Sequence, residues 1–162
     1  MSRKGLLYGW IVFLAIALTG CQQEQAPEPV KDKSMPLRAT VWKLTQLDLG
    51  QTPYTLTDIP QESHVGFVIF NSDDQTLIGF AGCQQVDGRY RVVGEQLQVE
   101  AITLTGSRCY NPRFDQVGDR FAQALRGATT YRLATDDARL ELMTDGVVRA
   151  VLLYRQPEEG YW

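Results

Sequence analysis

Histidine is nearly missing from this chain: His64 is the only one in 162 residues. Three cysteines accompany it, and a metal site would want more Cys or His ligands than that. No nucleophile elbow of the form G-x-S-x-G occurs, and no phosphate-cradling G-x-x-x-x-G-K-[ST] loop. A serine–histidine hydrolase would have to use His64, which follows Gln61-Glu62-Ser63 in a loop-like context where a bystander role is the simpler reading. The carboxylate pairs Asp73-Asp74, Asp136-Asp137 and Glu158-Glu159 sit in turn clusters or near the end of the sequence, as solvated residues do. We expect no catalysis, no cofactor and no metal.

Lysine is missing from most of the chain: none occurs after Lys43, although arginine occurs ten times there. Arginines can grip carboxylates or phosphates in bidentate fashion, but a bias of composition explains the preference as well. No basic cluster suggests nucleic acid, whose binding rests on neutralising phosphates. The length suits one domain, and 44% hydrophobic residues are enough for a core.

Long apolar runs are missing except at the start. Arg3 and Lys4 precede thirteen apolar residues, Leu6 to Leu18, and Leu18-Thr19-Gly20-Cys21 closes the segment. A bilayer span needs ~20 residues, so a signal peptide over residues 1–20 fits better than a permanent helix. The ending resembles the lipobox of bacterial lipoproteins, in which the cysteine is acylated before cleavage. Cys21 is then the lipidated first residue of the mature chain, and three acyl chains suffice for stable anchoring. Gln22 in place of aspartate implies, by resemblance to enterobacterial sorting, the outer membrane facing the periplasm. Removing Arg3 and Lys4 takes the 16 basic residues to 14 against 19 acidic, a net charge of −5.

With Cys21 lipidated, Cys83 and Cys109 remain, an even number in an oxidising compartment. A disulfide and two buried free thiols are both open; the disulfide is the expectation.

Residues 21–37 are polar with three prolines and read as a flexible tether. A strand is expected through Ala39–Leu44, with Val41 and Lys43 on one face and Trp42 and Leu44 on the other. Residues 48–63 form a polar, proline-punctuated insert. Val65–Phe70 is apolar on both faces, which suggests a central, covered strand, and Thr76–Phe80 partners it. Asp87-Gly88 is the strongest hairpin signature in the chain. Leu97, Val99 and Ala101 alternate with Gln98 and Glu100 as in a strand with one wet face. One helix is marked by Asn111 as cap, Pro112 at its first position and an apolar stripe of Phe114, Val117, Phe121, Ala124 and Leu125, with Gly127 as a left-handed cap. Three further strands follow, turning at Asp136-Asp137 and Asp145-Gly146. The residues after Arg155 end on Tyr161 and Trp162, a frayed tail over 157–162.

Gly82-Cys83-Gln84, then Gly88-Arg89-Tyr90, then Thr105 four residues before Cys109, resembles the signature of the META domain, which includes the HslJ-like envelope lipoproteins. The likeness runs from about Thr40 to Arg155, with domain bounds taken as 38–156, and departs from the family pattern at Gln84, where Asn is usual. It implies a curved antiparallel sheet or partly open β-barrel of about eight strands with one packed helix, a mainly β (α+β) fold. The family has no established catalytic residues, and its members are linked to envelope stress. Its fold resembles secretion pilot lipoproteins that bind lipid or a partner's peptide. The expectation is therefore a non-enzymatic envelope lipoprotein, an adaptor or quality-control factor in envelope stress that binds another envelope protein by offering an open sheet edge for strand addition; the alternative is a binder or sensor of a small apolar ligand or lipid in the barrel mouth.

Overall fold

Period-two alternation along most of the chain builds strands, and one stretch of helical period builds a helix. The computed structural model describes residues 36–59, 65–134 and 138–155. They form β1 (Val41–Asp48), β2 (Leu56–Asp58), β3 (Gly66–Phe70), β4 (Thr76–Ala81), β5 (Gln84–Val93), β6 (Gln96–Thr105), α1 (Pro112–Gly127), β7 (Thr130–Ala134), β8 (Arg139–Thr144) and β9 (Val147–Arg155). Cys21, the signal segment, His64, Asp136-Asp137 and residues 156–162 lie outside the described residues.

The sheet runs β2-β1-β3-β4-β5-β6-β7-β8-β9, every pairing antiparallel. β1 also pairs with β9, Val41 opposite Arg155 and Leu47 opposite Ala150, so β1 and β3 to β9 close a ring. An eight-stranded ring has an interior just wide enough for side chains to fill. Trp42, Phe70, Leu77, Val86, Leu140 and Leu152 fill it, each fully buried. Trp42 satisfies its indole N–H at the Leu37 carbonyl oxygen, 3.0 Å away. Leu37 is itself buried, so the domain begins inside the segment assigned to the tether.

The helix follows its sequence cues at one end. Asn111 Oδ1 accepts from the Arg113 amide at 3.0 Å, with Pro112 in the first turn. Val117, Phe121, Ala124 and Leu125 turn inward, and Phe121 is fully buried. At the other end the expectation fails: Ala128 is the cap residue in extended conformation (φ −64°), and Gly127 is the last helical residue. The ensuing chain enters β7 at once, and the extended cap starts that strand.

Four other readings are corrected. Asp87-Gly88 is not a hairpin but lies within β5, opposite a register shift in β6. A Cβ on Gly88 would lie 3.2 Å from Ile102, so this glycine serves close approach across the bulge. The chain reverses instead at Gly82-Cys83. Along β6 the alternation breaks at Ala101, which has φ 52° and is exposed, so Ile102 and Leu104 turn inward in its place. The insert after Asp48 holds β2, whose three residues are too few for a periodic pattern. Finally, only one face of β3 is covered: Val68 and Phe70 are buried, whereas Phe67 and Ile69 are half-exposed.

Candidate docking surface

The family-pattern residues gather at two structural joints. Gly82 has φ +65°, and a Cβ there would sit 2.8 Å from the Phe114 carbonyl oxygen. On the helix, a Cβ on Gly118 would lie 2.6 Å from the Ala81 carbonyl oxygen. These two glycines let α1 rest against the β4–β5 corner. Cys83 is bonded to Cys109 beside them, with Cα atoms 5.1 Å apart, which ties that corner to the loop before α1. Arg108 in that loop pairs with Asp115 and, at 2.7 Å, with Asp119 of α1. The Arg108 hydrogen bond holds the Asp115 carboxyl below its usual 3.8. The Gln84 side-chain amide donates to the Gly106 carbonyl oxygen at 3.5 Å.

Tyr90 makes the second joint. It is buried, meets Phe70 edge-on with centroids 5.0 Å apart, and donates its hydroxyl to the Asn71 carbonyl oxygen at 2.7 Å. Burial pushes its phenol upward from 10.0. Thr105 is an exposed residue at the end of β6, opposite Gln85. Gly82, Gly88, Tyr90 and Thr105 do not converge on one centre: Gly82 holds a corner, Gly88 a bulge, Tyr90 a buried contact within β5, and Thr105 a strand end.

Two features of the wall can take a partner. The first is the edge of β6. Its pairing with β7 is one position long, Gln96 opposite Thr130, flanked by Leu97 N–H to Thr129 O (3.1 Å) and Tyr131 N–H to Glu95 O (3.0 Å). β7 starts there and continues past the β5–β6 turn, leaving the rest of β6 behind. From Gln98 to Thr105, no strand among the described residues pairs with β6 on that side. Helix α1 packs beside this edge, and Arg126 donates to the Ile102 carbonyl at 3.4 Å. Because backbone groups alternate along a strand, the Val99 amide points the same way as that of Leu97, away from β5.

The second feature is an apolar strip on the outside of the ring. Cross-strand register sets Leu153, Lys43, Phe67 and Phe80 in one row and Arg155, Val41, Ile69 and Ile78 in the next. Phe80 is 39% exposed, and Ile78 and Leu153 are each 37% exposed. Phe67 and Phe80 are in contact, with ring centroids 5.6 Å apart. Lys43 faces outward in the middle of the strip, yet it is only 4% exposed. Nothing in the linear sequence reveals this strip, because its members come from four strands and meet only through register.

A concavity of about 280 Å³ lies between α1 and the β1–β2 loop, lined by Asp48, Gly50, Tyr54, Arg120, Gln123 and Arg149 among others. Arg149 bonds Asp48 at 2.6 Å and lies 3.8 Å above the Tyr54 ring. The Tyr54 hydroxyl and Asp48 both push the Arg149 guanidinium further up from its already high ordinary pKa. The Arg149–Asp48 ion pair and the Tyr54 ring above it tie the β1–β2 loop to β9.

The META domain description matches residues 35–157. No curated protein matches the chain. Among solved structures, a protein from Burkholderia xenovorans is similar, with TM-score 0.60 and 19% identity over 81% of this chain and 92% of that one. A second protein solved by NMR has TM-score 0.52 and 14% identity, covering 70% of this chain and 88% of that one. At such identities these likenesses concern the fold, and the match over residues 35–157 concerns the family: the chain belongs to the META domain family.

Proposed function

We propose that this protein is a non-enzymatic envelope lipoprotein, anchored through Cys21 to the outer membrane on its periplasmic side, which binds an extended segment of another envelope protein as part of the response to envelope stress. The observation that carries the reading is the free side of β6 between Gln98 and Thr105. A peptide laid along it gains main-chain hydrogen bonds, and the alternate exposed residues Gln98 and Glu100 supply polar selectivity. The Arg126 contact to Ile102 is the one an incoming strand displaces. The alternative, an apolar ligand within the ring, is weaker because Trp42, Phe70 and Phe121 already fill the interior.

The test is in-cell photo-crosslinking from benzoylphenylalanine placed at Glu100, in the parent and in Val99→Pro, which deletes the outward N–H without touching the ladder to β5. One dominant envelope protein, captured by the parent and lost in the proline variant, is the expected result. Lipid adducts without protein would move the reading to a ligand carrier. The anchor is checked separately: Cys21→Ser abolishes the acyl mass of the mature chain, and an unchanged modified mass would refute lipidation.

A further inference from the structure

The concavity between α1 and the β1–β2 loop is lined by two guanidinium groups and one carboxylate. Arg120 enters it from α1 and Arg149 from β9, and Asp48 is the only acidic residue among the described residues that line it. Asp48 is fully engaged: Oδ2 accepts from Arg149 Nη1 at 2.6 Å, and Oδ1 accepts from the Gly50 amide at 2.7 Å. Arg120 has no such partner. It donates through Nη1 to the neutral Gln123 Oε1 at 3.1 Å, and among the described residues it forms no ion pair. The lining therefore carries one uncompensated positive charge, although the chain as a whole has a net charge of −3.

Shape rather than a counter-ion positions Arg120. A Cβ on Gly50 would lie 2.7 Å from its Nη1, 2.8 Å from Cζ and 2.9 Å from Nη2, so the guanidinium rests face-on in space that any side chain at this position would take. All five donors of a guanidinium lie in its plane, and packing on the face spends none of them. Arg149 is held in a similar way, 3.8 Å above the Tyr54 ring. The last turn of α1 borders the cavity, and free carbonyls there would repel an anion. They are occupied: Gly127 O accepts from Thr144 Oγ1 at 2.7 Å, and Leu125 O from the Ala128 amide at 3.3 Å. The volume of about 280 Å³ is just below the ~300 Å³ at which sites for drug-sized ligands begin, so the cavity suits a small molecule or the end of a chain.

We infer that this cavity binds a small carboxylate, free or at the end of a peptide chain, with Arg120 as its bidentate partner and Arg149 as the second cation. The planar fork of arginine matches a carboxylate in geometry. The charge matches as well: one surplus positive charge meets the single negative charge of a carboxylate, whereas a phosphate group brings about −1.5 to −2. No residue of β6 lines the cavity, so this site is independent of strand addition.

The experiment follows the full chain, labelled with nitrogen-15 and purified in a non-ionic detergent, by NMR at fixed ionic strength. The probes are propionate, N-acetylalanine, the neutral N-acetylalaninamide and inorganic phosphate. The expected result is a saturable shift of the Gly50 amide and the Arg120 Nε–Hε signal with a carboxylate. Tighter binding of propionate identifies a free acid, and tighter binding of N-acetylalanine a chain end. The neutral amide binds about tenfold or more weaker, as the loss of a charge-assisted hydrogen bond implies. Arg120→Gln weakens the carboxylate by the same factor, read at the Gly50 amide. Gly127→Leu gives a second check: a Cβ at 127 meets only Thr144 Oγ1 within 4 Å, at 3.4 Å, so the larger side chain fills the cavity while both cations remain, and binding is lost. Unchanged signals from β3 to β6 report that each variant is folded. No saturable shift, equal binding of the neutral amide, tighter binding of phosphate, or undiminished binding by Arg120→Gln overturns the proposal. None of these outcomes touches capture from Glu100, which decides the β6 reading on its own.

Discussion

Gly118 of α1 and Gly82 of the β4–β5 corner meet backbone against backbone: a Cβ on Gly118 would lie 2.7 Å from the Gly82 amide nitrogen. The helix is seated at this contact, and two opposing effects meet there. Alanine in a helix interior is about 1 kcal/mol better than glycine, whereas overpacking costs about 1–3 kcal/mol. The crowding atoms are all backbone and cannot swing aside, so the clash prevails. Gly118→Ala therefore lowers the urea midpoint; a variant as stable as the parent would sink this account of the joint.

Tyr90 joins β5 to the β3–β4 turn through its hydroxyl on Asn71. Tyr90→Phe removes one hydrogen bond while keeping the ring against Phe70, and costs about 1 kcal/mol. Tyr90→Ala also empties the core and costs about 3–5 kcal/mol. Equal losses for the two, read from equilibrium denaturation, would mean that the ring contributes nothing.

The Cys83–Cys109 bond closes a loop with a sequence separation of 26. Chain entropy puts its contribution at about 3.5 kcal/mol. Cys83→Ser destabilises oxidised protein by that order and leaves the variant indifferent to reductant. Equal loss relative to reduced parent would instead point to packing of the thiol.

Acid stability tests the Arg108 bridge. The folded Asp115 carboxyl titrates below 3.8, so its stabilisation is complete above that pH and is lost as pH falls through the folded value. Arg108→Ala should therefore lower stability by a constant amount from neutrality down to about pH 5, with the gap to the parent closing below about pH 4. A gap independent of pH down to complete acid unfolding would remove Asp115 from the explanation.

Much of the architecture was legible locally. Trp42 and Leu44 share the inner face that their spacing assigns them, Asn111 caps the helix, and Asp145-Gly146 turns β8 into β9. These depend on neighbours within a few residues, where period and cap chemistry act directly. Asp87-Gly88 misled for the opposite reason: the same dipeptide that suits a two-residue hairpin also suits a bulge, and the choice rests on β6 lying alongside. The candidate site was legible only as a type, an open edge, without the strand that bears it.

The amino-acid order by itself determined the inner face of β1, the start of the helix and membership in the META family. Tertiary structure alone decided ring closure of β1 on β9, the offset that leaves most of β6 without a strand on one side, and the rows that unite Phe67, Phe80 and Leu153 on one surface. Register and closure are set by contacts between residues far apart in sequence, which no local period encodes.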